Sequence, residues 1–176
     1  MGGVSPRISI NAGEFDNLLT SIATSLDFQK NGLGEKIAKV LREDARRQFQ
    51  SGGIPSWAPL SPRTIARKRK LGYPRLNRKG LVPRAMLQNG QFGPENILMM
   101  TGALFTSWTR EDDPHHVEEI TATSVATGSD LIYAGTMQDG GEGWQGAPIP
   151  ARPIVITDQA RARIADLIEE QATQEQ

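Results

Sequence analysis

The residues best suited to chemistry are two adjacent histidines that follow a pair of aspartates. Asp112-Asp113 and His115-His116 offer the oxygen and nitrogen ligands that divalent metals use in proteins. Adjacent side chains on a strand point to opposite faces, so both histidines cannot easily reach one ion. The sequence has no HExxH motif and no third ligand at a fixed spacing. We therefore predict a polar turn and no metal site.

The other patterns that could support catalysis do not meet its requirements. The glycine-rich stretch 139–146 has neither a Lys-Ser/Thr pair nor GxGxxG spacing, so it does not predict a nucleotide site. No serine lies in a GxSxG sequence, and the chain has no cysteine, which excludes thiol catalysis and disulfides. The carboxylate pairs Glu118-Glu119 and Glu169-Glu170 are sequence neighbours that face apart. We predict no enzyme activity, no catalytic residue and no cofactor.

Length and composition set the class of protein. The 176 residues, 38% hydrophobic and 23% charged, are typical of one soluble globular domain. No apolar run approaches the roughly 18 residues of a membrane helix, and the start of the chain lacks the hydrophobic core of a signal peptide. We expect a single domain over 1–176, made and resident in the cytoplasm, without a membrane partner.

The charge distribution is the strongest functional signal. The net charge is zero, but residues 35–90 contain fourteen basic and three acidic residues, a local charge of +11. Such an asymmetry indicates a charged partner. The partner could be nucleic acid or the acidic part of a second copy of the chain. A solvated basic face is the third interpretation.

The elements that would position these residues begin with helices. Apolar residues recur every three or four positions in two stretches, which predicts two amphipathic helices after a short strand at 7–10. The first stripe is Phe15, Leu18, Leu19, Ile22 and Leu26. The second helix runs over 35–50 with the stripe Ile37, Val40, Leu41, Ala45 and Phe49, and ends at Gly52-Gly53. Ser61-Pro62 predicts the start of a third helix after a proline-rich connector.

In residues 71–96 the apolar residues repeat neither with the period of a helix nor with that of a strand. The stretch is basic and contains four glycines and three prolines, so we predict a long loop or arm. It also holds apolar residues, which favours ordering against a neighbouring subunit over pure solvation.

The second half predicts a small sheet and a final helix. Thr101 is a candidate cap for a short helix over 103–108. Residues 117–126 resemble strand material, with a hairpin turn at 128–130. An extended stretch at 151–156 precedes a last helix capped by Thr157. The predicted fold class is α+β: N-terminal helices, a small antiparallel sheet and a C-terminal helix, with the basic arm inserted.

Four blocks, taken in order, resemble the phage virion morphogenesis family, the tail-completion proteins of Mu-like phages. They are Trp57-Ala58-Pro59-Leu60-Ser61, Ile97-Leu98-Met99-Met100-Thr101-Gly102-Ala103-Leu104, Tyr133-Ala134 and Pro150-Ala151-Arg152-Pro153. The resemblance runs from about Glu35 to the final helix. The family usually has His-Gln shortly after Tyr-Ala, and this chain has Met137-Gln138.

The resemblance implies a structural, non-catalytic component of the head–tail neck in the virion. It implies a homo-oligomeric ring, with six-fold symmetry the first expectation, that contacts other neck and tail proteins and, in passing, packaged DNA. A heterologous interface closes into a ring when its rotation fits, and basic-on-acidic contacts would set its register. The alternative is a DNA-binding accessory protein that uses the basic segment 63–84; a cell-wall enzyme has no residues in its favour.

Two sets of residues follow from these interpretations. We expect the interface with the next subunit or ring to include Arg67, Lys68, Arg69, Lys70, Arg75, Arg78, Lys79, Arg84 and Trp144. We expect a fold-defining set of Trp57, Pro59, Leu60, Gly102, Leu104, Tyr133, Arg152 and Pro153. Trp57 and Leu60 would anchor the connector to the core, and Arg152 would bond nearby carbonyls.

Overall fold

A computed structural model of the chain describes residues 27–30, 32–71, 94–143 and 146–174. The predicted strand at 7–10, the first predicted helix and most of the predicted arm lie outside these residues. The described part is mixed helix and strand, as predicted for an α+β fold.

Five helices and two small antiparallel sheets make up the described part. The helices are α1 (Leu33–Ser51), α2 (Pro62–Leu71), α3 (Ala103–Thr109), α4 (Ala134–Asp139) and α5 (Asp158–Gln174). The strands are β1 (His116–Ile120), β2 (Val125–Ser129), β3 (Gly141–Glu142) and β4 (Pro148–Ile149). Strand β1 pairs with β2, and β3 pairs with β4.

Helix α1 confirms the predicted second helix to within two residues at its start. Its apolar stripe buries Ile37, Ala45 and Phe49. Gly52 ends the helix in the left-handed conformation, where its N–H bonds the carbonyl of Gln48 at 3.0 Å. A glycine adopts this conformation without the steric penalty that a Cβ would bring.

The predicted turn at 128–130 is wrong. Gly128 and Ser129 lie within β2, and the hairpin turns at 121–124 instead. The Thr121 hydroxyl accepts the N–H of Ser124 at 2.9 Å, and the Thr121 N–H bonds the Ser124 carbonyl at 2.8 Å. Side-chain bonds of this kind form a turn without glycine. The prediction failed because it used Gly128 as the signal for the turn.

Two apolar clusters occupy the two ends of α1. At its C-terminal end Phe49 meets the rings of Trp57 and Phe105 edge-on, at centroid distances of 5.8 and 5.5 Å. This first cluster also contains Met99, Leu104 and Ala134. At the N-terminal end Leu33 and Ile37 pack against Leu167 of α5. Helix α1 thus connects the two parts of the core.

The final helix begins as predicted. The Thr157 hydroxyl accepts the N–H of Ala160 at 3.2 Å, the bond expected of a helix cap. Ala160 and Leu167 are buried and Ile164 and Ile168 are partly buried, so these four residues form the inner face of α5.

Candidate interaction groove

The four sequence blocks of the resemblance meet around one groove. Its volume is about 530 Å³, and its walls are mostly apolar. We call it the motif groove. It is lined by Leu60, Thr64, Lys68, Leu98, Met99, Met100, Thr101, Gly102, Leu104, Tyr133, Met137 and Arg152. Residues nearly a hundred positions apart thus form one surface feature of a size that takes ligands or peptide side chains.

Local sequence shapes the walls of the motif groove. The Ser61 side chain accepts the N–H of Thr64 at 3.2 Å, which confirms the predicted start of α2. Gly102, with φ of 84°, starts α3 in a left-handed conformation that suits glycine. Leu98 adopts φ of 60°, which is rare for a bulky residue and recurs where binding sites hold the backbone.

The motif groove contains two buried cations. Lys68 is 4% exposed and Arg152 is 7% exposed. Lys68 Nζ donates to the Asn96 carbonyl at 2.6 Å, and Arg152 Nε donates to the Ala58 carbonyl at 3.3 Å. Neither cation forms an ion pair with a carboxylate of the described residues. A buried charge without a counter-ion is costly, so both cations would gain from an anionic partner.

Burial also sets the electrostatics of the groove. It lowers the pKa of Lys68, and the charge of Glu95 acts in the opposite direction. Burial likewise lowers the pKa of Arg152. The Glu95 carboxylate is itself bonded by Arg69, which holds the pKa of Glu95 below its usual range. The Glu95 carboxylate thus forms its ion pair with Arg69 and also acts on the charge of Lys68.

The predicted interface residues divide into three groups. Arg67 and Lys70 are exposed on α2, and Arg69 is exposed but paired with Glu95. Lys68 differs because it lies one helical turn after Thr64 and so faces the motif groove. The remaining residues lie outside the described residues; they are Arg75, Arg78, Lys79, Arg84 and Trp144.

Among the residues predicted to define the fold, Trp57 and Arg152 link the proline-rich segment before α2 to the C-terminal block. Trp57 is buried, and its indole N–H donates to the Pro153 carbonyl at 2.8 Å. The bond from Arg152 to Ala58 confirms that Arg152 bonds a nearby carbonyl. Leu60 is partly buried against the groove, whereas Pro59 is exposed. Tyr133 lies at the groove rim, where burial raises the pKa of its phenol.

Sequence reasoning missed a buried polar cluster on α1, formed by Asp44 and Gln48. Asp44 is 2% exposed; its carboxylate accepts the Thr157 N–H at 3.0 Å and the Thr157 hydroxyl at 2.7 Å. The Gln48 amide accepts the Val155 N–H at 3.1 Å and donates to the Val155 carbonyl at 2.6 Å. The spacing of Asp44 and Gln48 beside an apolar stripe was the available signal, because residues four apart share a helix face.

Gln138 repeats this arrangement from the opposite side. Its amide accepts the N–H of Ile154 at 2.9 Å and donates to the carbonyl of Ile154 at 3.0 Å. We call Asp44, Gln48 and Gln138 the backbone clamp. The extended stretch predicted at 151–156 belongs to no sheet; the two glutamines bond the backbone of Ile154 and Val155 instead. The sequence analysis noted Met137-Gln138 only as a departure from the family pattern and assigned Gln138 no role.

The two histidines have separate partners. His115 Nδ1 lies 2.8 Å from Asp130, whereas His116 Nδ1 lies 2.7 Å from the Ser107 carbonyl. The His116 Nε2 atom faces Glu118 at 3.2 Å, and Glu118 also pairs with Arg42. No three acidic or histidine side chains within residues 27–30, 32–71, 94–143 and 146–174 are placed to hold a metal ion.

None of the helices in the described ranges has the length and apolar character needed to cross a bilayer.

Comparisons with known proteins identify no relative of this chain. No family model, curated protein or solved structure matches this chain.

Proposed function

We propose that this chain is a structural virion protein of a tailed bacteriophage. In this proposal it forms a ring, most simply a hexamer, and acts in tail completion and head–tail assembly at the neck. The observation that carries the proposal is the convergence of all four sequence blocks on the motif groove. Blocks that maintained only the core would have no reason to share the lining of a surface groove.

The charge distribution supports the same proposal. The net charge of +11 over residues 35–90 is balanced by an equal negative charge elsewhere in the chain. Copies arranged head to tail could bring these opposite charges together, which sets orientation more than affinity. Other neck and tail proteins would contact the ring, and packaged DNA would pass through it.

Mass determination by light scattering tests the proposal. A discrete oligomer without DNA is the expected result, and deletion of residues 71–96 should weaken it if the arm reaches a neighbour. Negative-stain images of the same fraction should contain rings. A chain that stays monomeric with and without purified tail proteins would contradict the proposal.

The exposed face of α2 favours a second candidate, a DNA-binding accessory protein. Arg63, Arg67 and Lys70 are exposed there, and the structure gives them no acidic partner among the described residues. Phosphate binding through such residues weakens steeply as salt increases. Salt-sensitive binding of duplex DNA by a monomer, lost when Arg67 and Lys70 are both changed to Gln, would favour this candidate over the ring.

A further inference from the structure

We infer that the motif groove binds the N-terminal amphipathic segment of a second copy of this chain, residues 14–26. The inference rests on the proposed ring-forming function and adds the segment through which one subunit would hold the next. Three independent features carry it: the chemistry of the groove, the sequence of the segment, and the distance between them within one chain.

The groove offers an apolar surface with two cations. Met99, Met100 and Met137 form much of its lining, and methionine side chains adapt readily to the shape of a bound partner. Lys68 and Arg152 are both more than nine-tenths buried, and neither has a carboxylate partner among the described residues. The fitting occupant is therefore apolar and carries carboxylates.

Residues 14–26 have this chemistry. The apolar stripe Phe15, Leu18, Leu19 and Ile22 has the spacing of helices that lie in hydrophobic grooves, with anchors at the first, fourth, fifth and eighth positions. Glu14 and Asp16 are next to the first anchor and would supply carboxylates to the two cations. The segment contains no basic residue.

The positions of the two ends of α1 favour a second copy over the same chain. The segment joins the described structure at Asp27, next to Phe28, which packs at the Leu33 end of α1. The groove residues Met99 and Leu104 pack at the Phe49 end, about 24 Å away along the helix. If residues 15–27 formed one continuous helix, that helix would be only about 18 Å long. Such a helix would not reach far enough to place its whole stripe in the groove of its own chain.

Matched variants of the full chain test this inference by analytical ultracentrifugation. Met100→Lys puts a charge at the groove rim, where Met100 is 42% exposed. Val117→Lys makes the same kind of change at a residue that is 44% exposed on β1, away from the groove. We expect Met100→Lys and the triple change Phe15→Ser, Leu18→Ser and Ile22→Ser each to weaken self-association at least tenfold, and Val117→Lys to leave it unchanged.

A peptide of residues 12–27 provides a second readout. It should bind the triple variant, whose groove is free of its own segment, and a scrambled peptide should not. Adding Met100→Lys to the triple variant should weaken this binding at least tenfold. A peptide in which Glu14 and Asp16 are replaced by Gln and Asn should also bind more weakly.

The remaining outcomes separate this inference from the proposed function. An oligomer that persists in both the triple variant and Met100→Lys overturns the inference and leaves the ring proposal standing. A monomeric wild-type chain whose triple variant binds the peptide shows that the segment occupies its own groove, which also overturns the inference. A monomer that binds only DNA contradicts the proposed function itself.

Discussion

The backbone clamp and the motif groove differ in how their buried polar side chains are partnered. In the clamp, Asp44 and Gln48 bond the backbone of Thr157 and Val155, and Asp44 also accepts bonds from Arg47 and from the Thr157 hydroxyl. In the groove, the side chains of Lys68 and Arg152 each bond one carbonyl of the described residues. Buried polar groups with full sets of partners stabilise a fold, whereas charges without counter-ions cost stability. The clamp therefore fits a structural role and the groove a binding role.

Of the changes that test this comparison, loss of the Asp44 carboxylate should lower the stability of the fold most. Asp44→Ala leaves the Thr157 N–H and hydroxyl without their acceptor in the interior. We expect the free energy of unfolding to fall by about 3 kcal/mol, measured by urea denaturation. Glu43→Ala, at the exposed neighbouring position, is the matched control and should change stability by less than about 0.5 kcal/mol. Equal effects at the two positions would contradict the structural role of the clamp.

Removal of the Gln48 amide should have the next largest effect. Gln48→Ala removes the partners of both backbone groups of Val155, so we expect a loss of about 2 kcal/mol in the same assay. Gln48→Glu keeps an acceptor for the Val155 N–H but loses the donor to its carbonyl. If Gln48→Glu were as stable as the wild type, the bond that Gln48 donates to the Val155 carbonyl would not contribute to stability.

A substitution in the motif groove should change the free energy of unfolding much less than a substitution in the clamp. Arg152→Met removes a costly buried charge together with its bond to Ala58. We expect these effects to offset, with a change in unfolding free energy below about 1 kcal/mol. Self-association should nevertheless weaken, because the groove loses a cation. A loss of stability as large as that of Asp44→Ala would make Arg152 a member of the core rather than of a binding site.

The smallest expected effect is the change with pH in the contribution of Lys68 to the free energy of unfolding. Because burial lowers the pKa of Lys68, the unfolded chain binds more protons than the folded protein at alkaline pH. The contribution of Lys68 to the free energy of unfolding therefore rises as pH increases toward its ordinary value of 10.5. Lys68→Met should remove this rise, an amplitude below about 1 kcal/mol. Unfolding at neutral pH and at about pH 10, with exposed Lys70→Met as the control, measures it.

Sequence periodicity predicted the long elements because their signals are local. The stripe from Ile37 to Phe49 specified α1, and the caps Ser61 and Thr157 marked the starts of α2 and α5. The hairpin turn was misplaced because Thr121 forms it through side-chain bonds instead of glycine.

The clamp and the groove were harder to predict because they depend on contacts far apart in the chain. Gln48 meets Val155 across 107 positions, and Trp57 meets Pro153 across 96. No pattern within a window of the sequence encodes such a pairing. The blocks of the resemblance contain Leu60, Met100 and Arg152, but only the three-dimensional arrangement brings these residues to one groove.

The clamp has a consequence for amide hydrogen exchange. The N–H groups of Ile154, Val155 and Thr157 are all bonded by side chains, in a stretch with no regular secondary structure. These amides should exchange with solvent as slowly as those of α1, since opening them requires the helices on both sides to separate. Because each glutamine satisfies a donor and an acceptor at once, it fills the place of a neighbouring strand. This edge of the backbone is thus closed to pairing with another chain.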